Sequence, residues 1–229
     1  MTEILPDTVL QLSNVSKSFG KESVSQVHAL QEINLVVKKS QAYCLVGSSG
    51  SGKTTLLQIA GLLDKPTSGE IFINGTKTSD KNDVAKTKLR RDNIGFIYQS
   101  HHLLPEFSAL ENVALPLLIQ GQSKDSAYKK AKEVLSLVDM SSRLEHKPSE
   151  LSGGQQQRTA ICRAIVGQPS LILADEPTGN LDSKNSKIVF DLLLELVKEK
   201  NMSCLIVTHN LDLANKIDNR FTIEDGRLV

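Results

Sequence analysis

The chain has 229 residues, 39% of them hydrophobic and 23% charged, with a formal net charge of +1. That balance suits a single compact globular unit, and near-neutral charge gives no electrostatic reason to expect nucleic acid as a partner. No apolar run approaches the roughly 18 residues of a membrane-crossing helix, and Met1–Asp7 has neither the basic head nor the apolar core of a signal peptide.

In chain order, Val9–Leu12 and Ile33–Val37 read as strands, with a polar, turn-rich Gly20–Gln26 between them. Phe19 closes the first strand region; with aromatics at only 4%, a lone Phe reads as core. Tyr43–Val46 is a short apolar strand that feeds Gly47-Ser-Ser-Gly-Ser-Gly-Lys-Thr54, and a helix runs from Lys53 toward Gly61. The spacing G-x-x-x-x-G-K-T between a strand and a helix is that of a phosphate-binding loop. Gly47, Gly50 and Gly52 let the backbone turn so that successive N–H groups, from Ser48, Ser49 and Ser51 onward to Thr55, point inward at phosphate oxygens. The helix dipole adds positive potential there. Lys53 supplies a point charge to the β- and γ-phosphates, and the Thr54 hydroxyl is placed to ligate Mg²⁺. A nucleotide and Mg²⁺ are the expected ligands.

Asp64–Gly69 then makes a turn, Glu70–Asn74 alternates as a strand, and Asn74-Gly75 closes it. Val84–Arg91 reads as a basic exposed helix and Ile94–Tyr98 as another strand. From Ser100 to Gln168 the pattern is helical: Ala127, Ala131, Val134, Leu135 and Val138 recur at helical spacing, and Arg158–Val166 carries a similar stripe. Leu171–Ala174 and Cys204–Val207 are continuous apolar strands on either side of an amphipathic helix, Lys184–Lys200. Strands buried on both faces and alternating with helices predict a mainly parallel sheet. The fold expected is therefore an α/β nucleotide-binding core with an α-helical insert at about 100–165. A small antiparallel β lobe from residues 1–35 and 69–98 completes it. Cys44, Cys162 and Cys204 sit inside apolar stretches without C-x-x-C spacing, which reads as buried small hydrophobes in a cytosolic protein.

Asp175 and Glu176 end a buried strand, where the ligands of parallel sheets collect. Asp175 suits a Mg²⁺ shell, and Glu176, one residue further out, suits the polarisation of an attacking water. Ser152, Gly153, Gly154 and Gln155 open a second helix and make a second anion-binding N-terminus. One nucleotide does not need two such sites, so the second is expected to serve a neighbouring subunit in a two-fold dimer.

Taken together, the phosphate loop, Gln99 after a strand, Leu151–Gln155, Asp175–Glu176, Gly179–Asp182 and His209 resemble the ATP-binding cassette (ABC) transporter ATPases over nearly the whole chain. The resemblance implies a P-loop NTPase core, with residues 1–99 and 166–229 forming the core plus β lobe and 100–165 a helical subdomain. It also implies that Phe19 stacks on adenine, that Gln99 links Mg²⁺ to a transmembrane partner, that Asp182 lies at the dimer seam and that His209 contacts the γ-phosphate. Phe19 stands where Tyr is commoner in that family, and Asn210 where many members have Asp. The stretch Phe96–Ile119, above all His101–Phe107, looks like the ATPase of the bacterial lipoprotein-releasing (Lol-type) system. It fits, more broadly, a group that includes macrolide exporters and the cell-division ABC ATPase, a nucleotide-gated regulator. The Lol-type resemblance implies an ATPase homodimer on the cytoplasmic face of the inner membrane. It would be bound to permease subunits that extract lipoproteins and hand them to a periplasmic carrier.

Overall fold

A computed structural model describes residues 4–20 and 26–229. The turn expected at Gly20–Gln26 lies mostly outside the described residues. Two sheets carry the chain. In the antiparallel one, β1 (Thr8–Phe19) pairs with β2 (Val27–Lys38) and with β4 (Ser68–Ile73), and β5 (Thr76–Lys77) adds the edge. β1 is much longer than the alternation at Val9–Leu12 indicates. Register shifts between Leu12 and Val15, near the left-handed Asn14 (φ +50°), let it bend and continue to Phe19. The β4–β5 hairpin closes through Asn74 and Gly75, both at positive φ (47° and 71°), the turn whose twist matches paired strands.

The second sheet has the order β10-β9-β3-β8-β7-β6, numbering β3 as Ala42–Val46, β6 as Ile94–Tyr98, β7 as Leu171–Asp175, β8 as Ser203–Val207, β9 as Asn219–Glu224 and β10 as Arg227–Leu228. All neighbours are parallel except the β9–β10 hairpin. One expectation is corrected here: Ile94–Tyr98 belongs to this parallel sheet, beside β7, and not to the antiparallel lobe. The reason is close packing, since a Cβ on Gly95 would meet Ala164 O at 2.3 Å, so only a glycine lets the helix above lie on this strand.

Strand side chains alternate between two cores. Cys44, Ile172, Ala174, Cys204 and Ile206 face one cluster, while Leu45, Leu171, Leu173, Leu205 and Val207 face the other. The second cluster joins α1 (Lys53–Ala60) and the antiparallel lobe to the sheet. The first joins it to α3 (Ala109–Ile119), α4 (Lys124–Ser136), α5 (Gly153–Ile165) and α6 (Ser183–Glu199). Between them in sequence, α2 (Asp83–Asn93) is capped by Asn82 and has no buried residue. A short α7 (Leu211–Ala214) follows β8. Val138 continues the apolar stripe of α4 but lies beyond its end at Ser136, and is buried all the same.

The three cysteines are fully buried, and burial pushes the Cys44 thiol up to about 12 and raises those of Cys162 and Cys204 as well. Phe19 departs from its expectation as core: it is 45% exposed, with Lys17 Nζ 4.9 Å from its ring centroid. Among the described residues no helix is long and apolar enough to cross a membrane.

Candidate nucleotide-binding site

β3 delivers the chain into Gly47, and α1 begins at Lys53 behind Gly52, which is left-handed at φ +105°. A Cβ at Gly52 would meet Ala29 O at 2.5 Å and one at Gly47 would meet Ile223 O at 2.3 Å, so space demands glycine at both, and conformation demands it again at Gly52. The Lys53 ammonium, nearly buried, donates to the loop's own carbonyls at Gly47 (2.9 Å) and Ser48 (2.6 Å). Ser51 Oγ is buried without a hydrogen-bond partner.

Over this loop lies a cavity of about 550 Å³. Ser49, Gly50, Lys53, Thr54 and Thr55 line one wall, and Asp175, Glu176 and His209 meet them. Parallel pairing of β7 with β8, Asp175 opposite Val207, is what brings the two carboxylates and His209 to one sheet edge. Burial holds the Asp175 carboxyl above its ordinary value, with the Glu176 charge acting the same way; a hydrogen bond with Thr54 and the Lys53 charge oppose it. Glu176 is left-handed (φ +45°), and its carboxylate accepts from Thr208 Oγ1 at 3.1 Å and from His209 N at 2.9 Å.

Gln99 lines a neighbouring cavity with Thr54 and Asp175, while its amide Nε2 donates to Asn180 Oδ1 at 3.0 Å and Asn180 Nδ2 donates back to Gln99 O at 2.9 Å. It is thereby tied to the turn that ends at Asp182. Asp182 itself caps α6, accepting from the N–H groups of Lys184 (3.1 Å) and Asn185 (3.0 Å). Phe19 does not itself line the phosphate-loop cavity, but stands opposite Val27 in the β1–β2 ladder, and Val27 does.

Ser152 caps α5 in a capping box with Gln155, and Gly153 and Gly154 form its first turn. None of these four residues lines the phosphate-loop cavity. Gly154 has open space around it: an added Cβ would find Asn185 Oδ1 first, at 3.9 Å.

The ABC transporter family model matches residues 30–179, a span running from β2 through the phosphate loop to the strand end at Asp175–Glu176. The chain belongs to the ABC transporter family. It is 46% identical over 225 residues to the lipoprotein-releasing system ATP-binding protein LolD 1 of Rhodospirillum rubrum, covering 98% of this chain and 99% of that protein. It is 50% identical over 200 residues to the LolD protein of Nitrobacter winogradskyi, 87% of this chain and 86% of that one. Among solved structures, the dimeric post-hydrolysis state of the ATP-binding cassette MJ0796 bound to ADP and Pi superposes with a TM-score of 0.87 at 41% identity, over 96% of each chain.

This ABC chain carries site residues that sequence reasoning missed. The β9–β10 turn enters the cavity wall with Asp225 and Gly226, and Gly226 N donates to Ser51 O of the phosphate loop at 3.0 Å. Gln31 N donates to Gly226 O at 2.8 Å, so the turn is pinned between β2 and the loop. The Asp-Gly dipeptide between two short β-prone runs is a hairpin signal; nothing local in it points to the phosphate loop far earlier in the chain. His28 also lines the cavity, its Nδ1 3.0 Å from Ser18 Oγ.

Proposed function

We propose that this chain binds ATP with Mg²⁺, hydrolyses it at sites shared between two copies, and so drives a membrane complex that releases lipoproteins for transfer to a periplasmic carrier. The observation that carries the reading is the union in one cavity of the phosphate loop with Asp175 and Glu176, while Ser152–Gln155 stand outside it. A helix N-terminus of that kind is suited to an anion held by another copy. The names of the relatives, lipoprotein-releasing ATP-binding proteins similar over nearly the full length, support the transport role.

The residues present fit the nucleotide and its cation. Gly47 and Gly52 leave no room for a side chain, so the loop backbone keeps its tight turn. Among the described residues Ser51 Oγ lacks a hydrogen-bond partner, while the Lys53 ammonium donates to loop carbonyls alone. Phosphate oxygens would give both groups better partners. Thr54 and Asp175 would hold Mg²⁺, which supplies neutralisation of charge on the phosphate oxygens. Asp175, raised by burial, gains from a cation that favours its ionised form. Glu176 takes a proton from the attacking water. Thr208 and His209 orient its carboxylate, and Gln99 reports the state of the cation through the Asn180 turn. Phe19, 45% exposed and paired with the cavity-lining Val27, offers a ring for stacking on the adenine base.

The test is reconstitution. The chain should co-purify with an inner-membrane permease, and ATP should drive lipoprotein from proteoliposomes of that complex onto a soluble carrier. Release that ignores ATP sinks the transport reading, and a permease with a different periplasmic domain moves the substrate to another member of the group.

A further inference from the structure

The loop after β6 passes through two consecutive left-handed residues, His101 (φ +57°) and His102 (φ +48°). Neither is glycine, so each holds a conformation that surrounding structure must enforce. Arg163 supplies that enforcement. Its Nη1 donates to His102 O at 2.6 Å and its Nη2 to His101 O at 2.7 Å, one guanidinium fork clasping two adjacent carbonyls. Both bonds go to backbone rather than to a carboxylate, and burial draws the guanidinium below its ordinary value. The His102 ring stacks on Tyr98 with centroids 4.8 Å apart, and Tyr98 on Phe96 at 5.7 Å, so the turn is also fastened to β6.

Arg163 stands in the last turn of α5, whose first turn holds Ser152–Gln155. A helix of this length is a stiff rod, so its two ends move together. We propose that Arg163 is a positioning residue: it holds the loop that begins at Gln99 in its strained turn and ties that loop to the helix bearing Ser152–Gln155. The helix N-terminus offered to a second copy and Gln99 beside the Asp175 site then respond as one body. The inference rests on the ATPase reading for its effect on turnover, but not for its effect on the loop.

Two variants in the complex with the membrane partner test it. Arg163→Met keeps the length and removes both bonds; Arg163→Lys keeps the charge and can reach one carbonyl. ATP affinity of the isolated chain stays within about twofold for both, because Arg163 does not line the phosphate-loop cavity. Turnover falls about tenfold for Met and less for Lys. In a Gln99→Ala background the same Arg163→Met change alters turnover by less than about twofold, since the loop's message is already lost. Additive losses would overturn the proposal, because a merely structural arginine gives them. Amide exchange at His101–Leu103 should quicken about tenfold in Arg163→Met, whatever the chain's activity. Unchanged exchange overturns the proposal, while quickened exchange in a chain that never hydrolyses ATP overturns only the functional reading. If the Met variant fails to fold, the Lys variant carries both the cycle and the exchange measurement.

Discussion

His209 meets the same carboxylate oxygen of Glu176 twice, through its backbone N–H at 2.9 Å and through ring Nδ1 at 2.7 Å. Thr208 donates to the other oxygen at 3.1 Å, so both oxygens are engaged by the loop after β8. The carboxylate is therefore oriented by protein groups alone, and its loss is separable from the phosphate loop.

Glu176→Gln keeps the shape and one acceptor but cannot take a proton at neutral pH. ATP binding should survive, and single-turnover hydrolysis should fall by at least about 100-fold. The variant should accumulate as an ATP-bound dimer by light scattering. Near-normal turnover removes Glu176 from the role of base.

Lys53→Ala should weaken ATP binding itself, by about 1.5–3 kcal/mol for a lost charge-assisted contact. Calorimetry measures it. Gly154→Asp should fold normally, because its Cβ meets nothing nearer than 3.9 Å, yet it sets a negative charge where a second copy's phosphate is expected. Each homodimer is then inactive. Mixing the two should restore one working site per heterodimer: the loop of the Gly154→Asp chain against the intact helix of the other. A mixture with confirmed heterodimers and no recovered activity contradicts shared sites.

The raised Asp175 carboxyl sets a pH dependence. A carboxyl whose folded value lies above its unfolded one keeps a proton that the unfolded chain has released. Without a divalent cation it therefore lowers stability as pH rises through that interval. A bound cation reverses the balance, since it requires the ionised form. Thermal melting with Mg²⁺ and a non-hydrolysable nucleotide should show stabilisation at neutral pH that fades as pH falls through the raised value. Asp175→Asn should abolish the dependence. A profile identical in the Asn variant assigns the titration elsewhere.

Leu104 and Phe107 are 37% and 38% exposed, while the loop beneath them is braced by Asn112, which accepts from Leu104 N and donates to Leu104 O and Phe107 O. Leu104→Glu should leave melting within a few degrees and the isolated ATPase near normal, but prevent assembly with the permease. Unfolding would make Leu104 core; assembly and transport as usual would mean that the permease docks on another part of the surface.

Local chemistry was enough for much of this protein. Glycines that a tight loop needs, a lysine at a helix start, apolar strand runs and a serine opening a helix act over a few residues, so the phosphate loop, α1, β7, β8 and the helix start at Ser152 are legible one segment at a time. The cap that Asp182 gives α6 emerges only in the structure. Which sheet a strand joins is a different matter. Ile94–Tyr98 is apolar enough for either, and only the approach of α5 over Gly95 puts it beside β7. Burial of a single aromatic is equally nonlocal: Phe19 is the last residue of β1, paired with the exposed Val27, and nothing packs over enough of its ring to bury it. The Asp225–Gly226 turn against Ser51, the Gln99–Asn180 exchange and the Arg163 clasp all join segments far apart in the chain. Each depends on packing of the whole to within a few tenths of an ångström, a precision that hydrogen-bond geometry requires and that no residue pattern encodes locally.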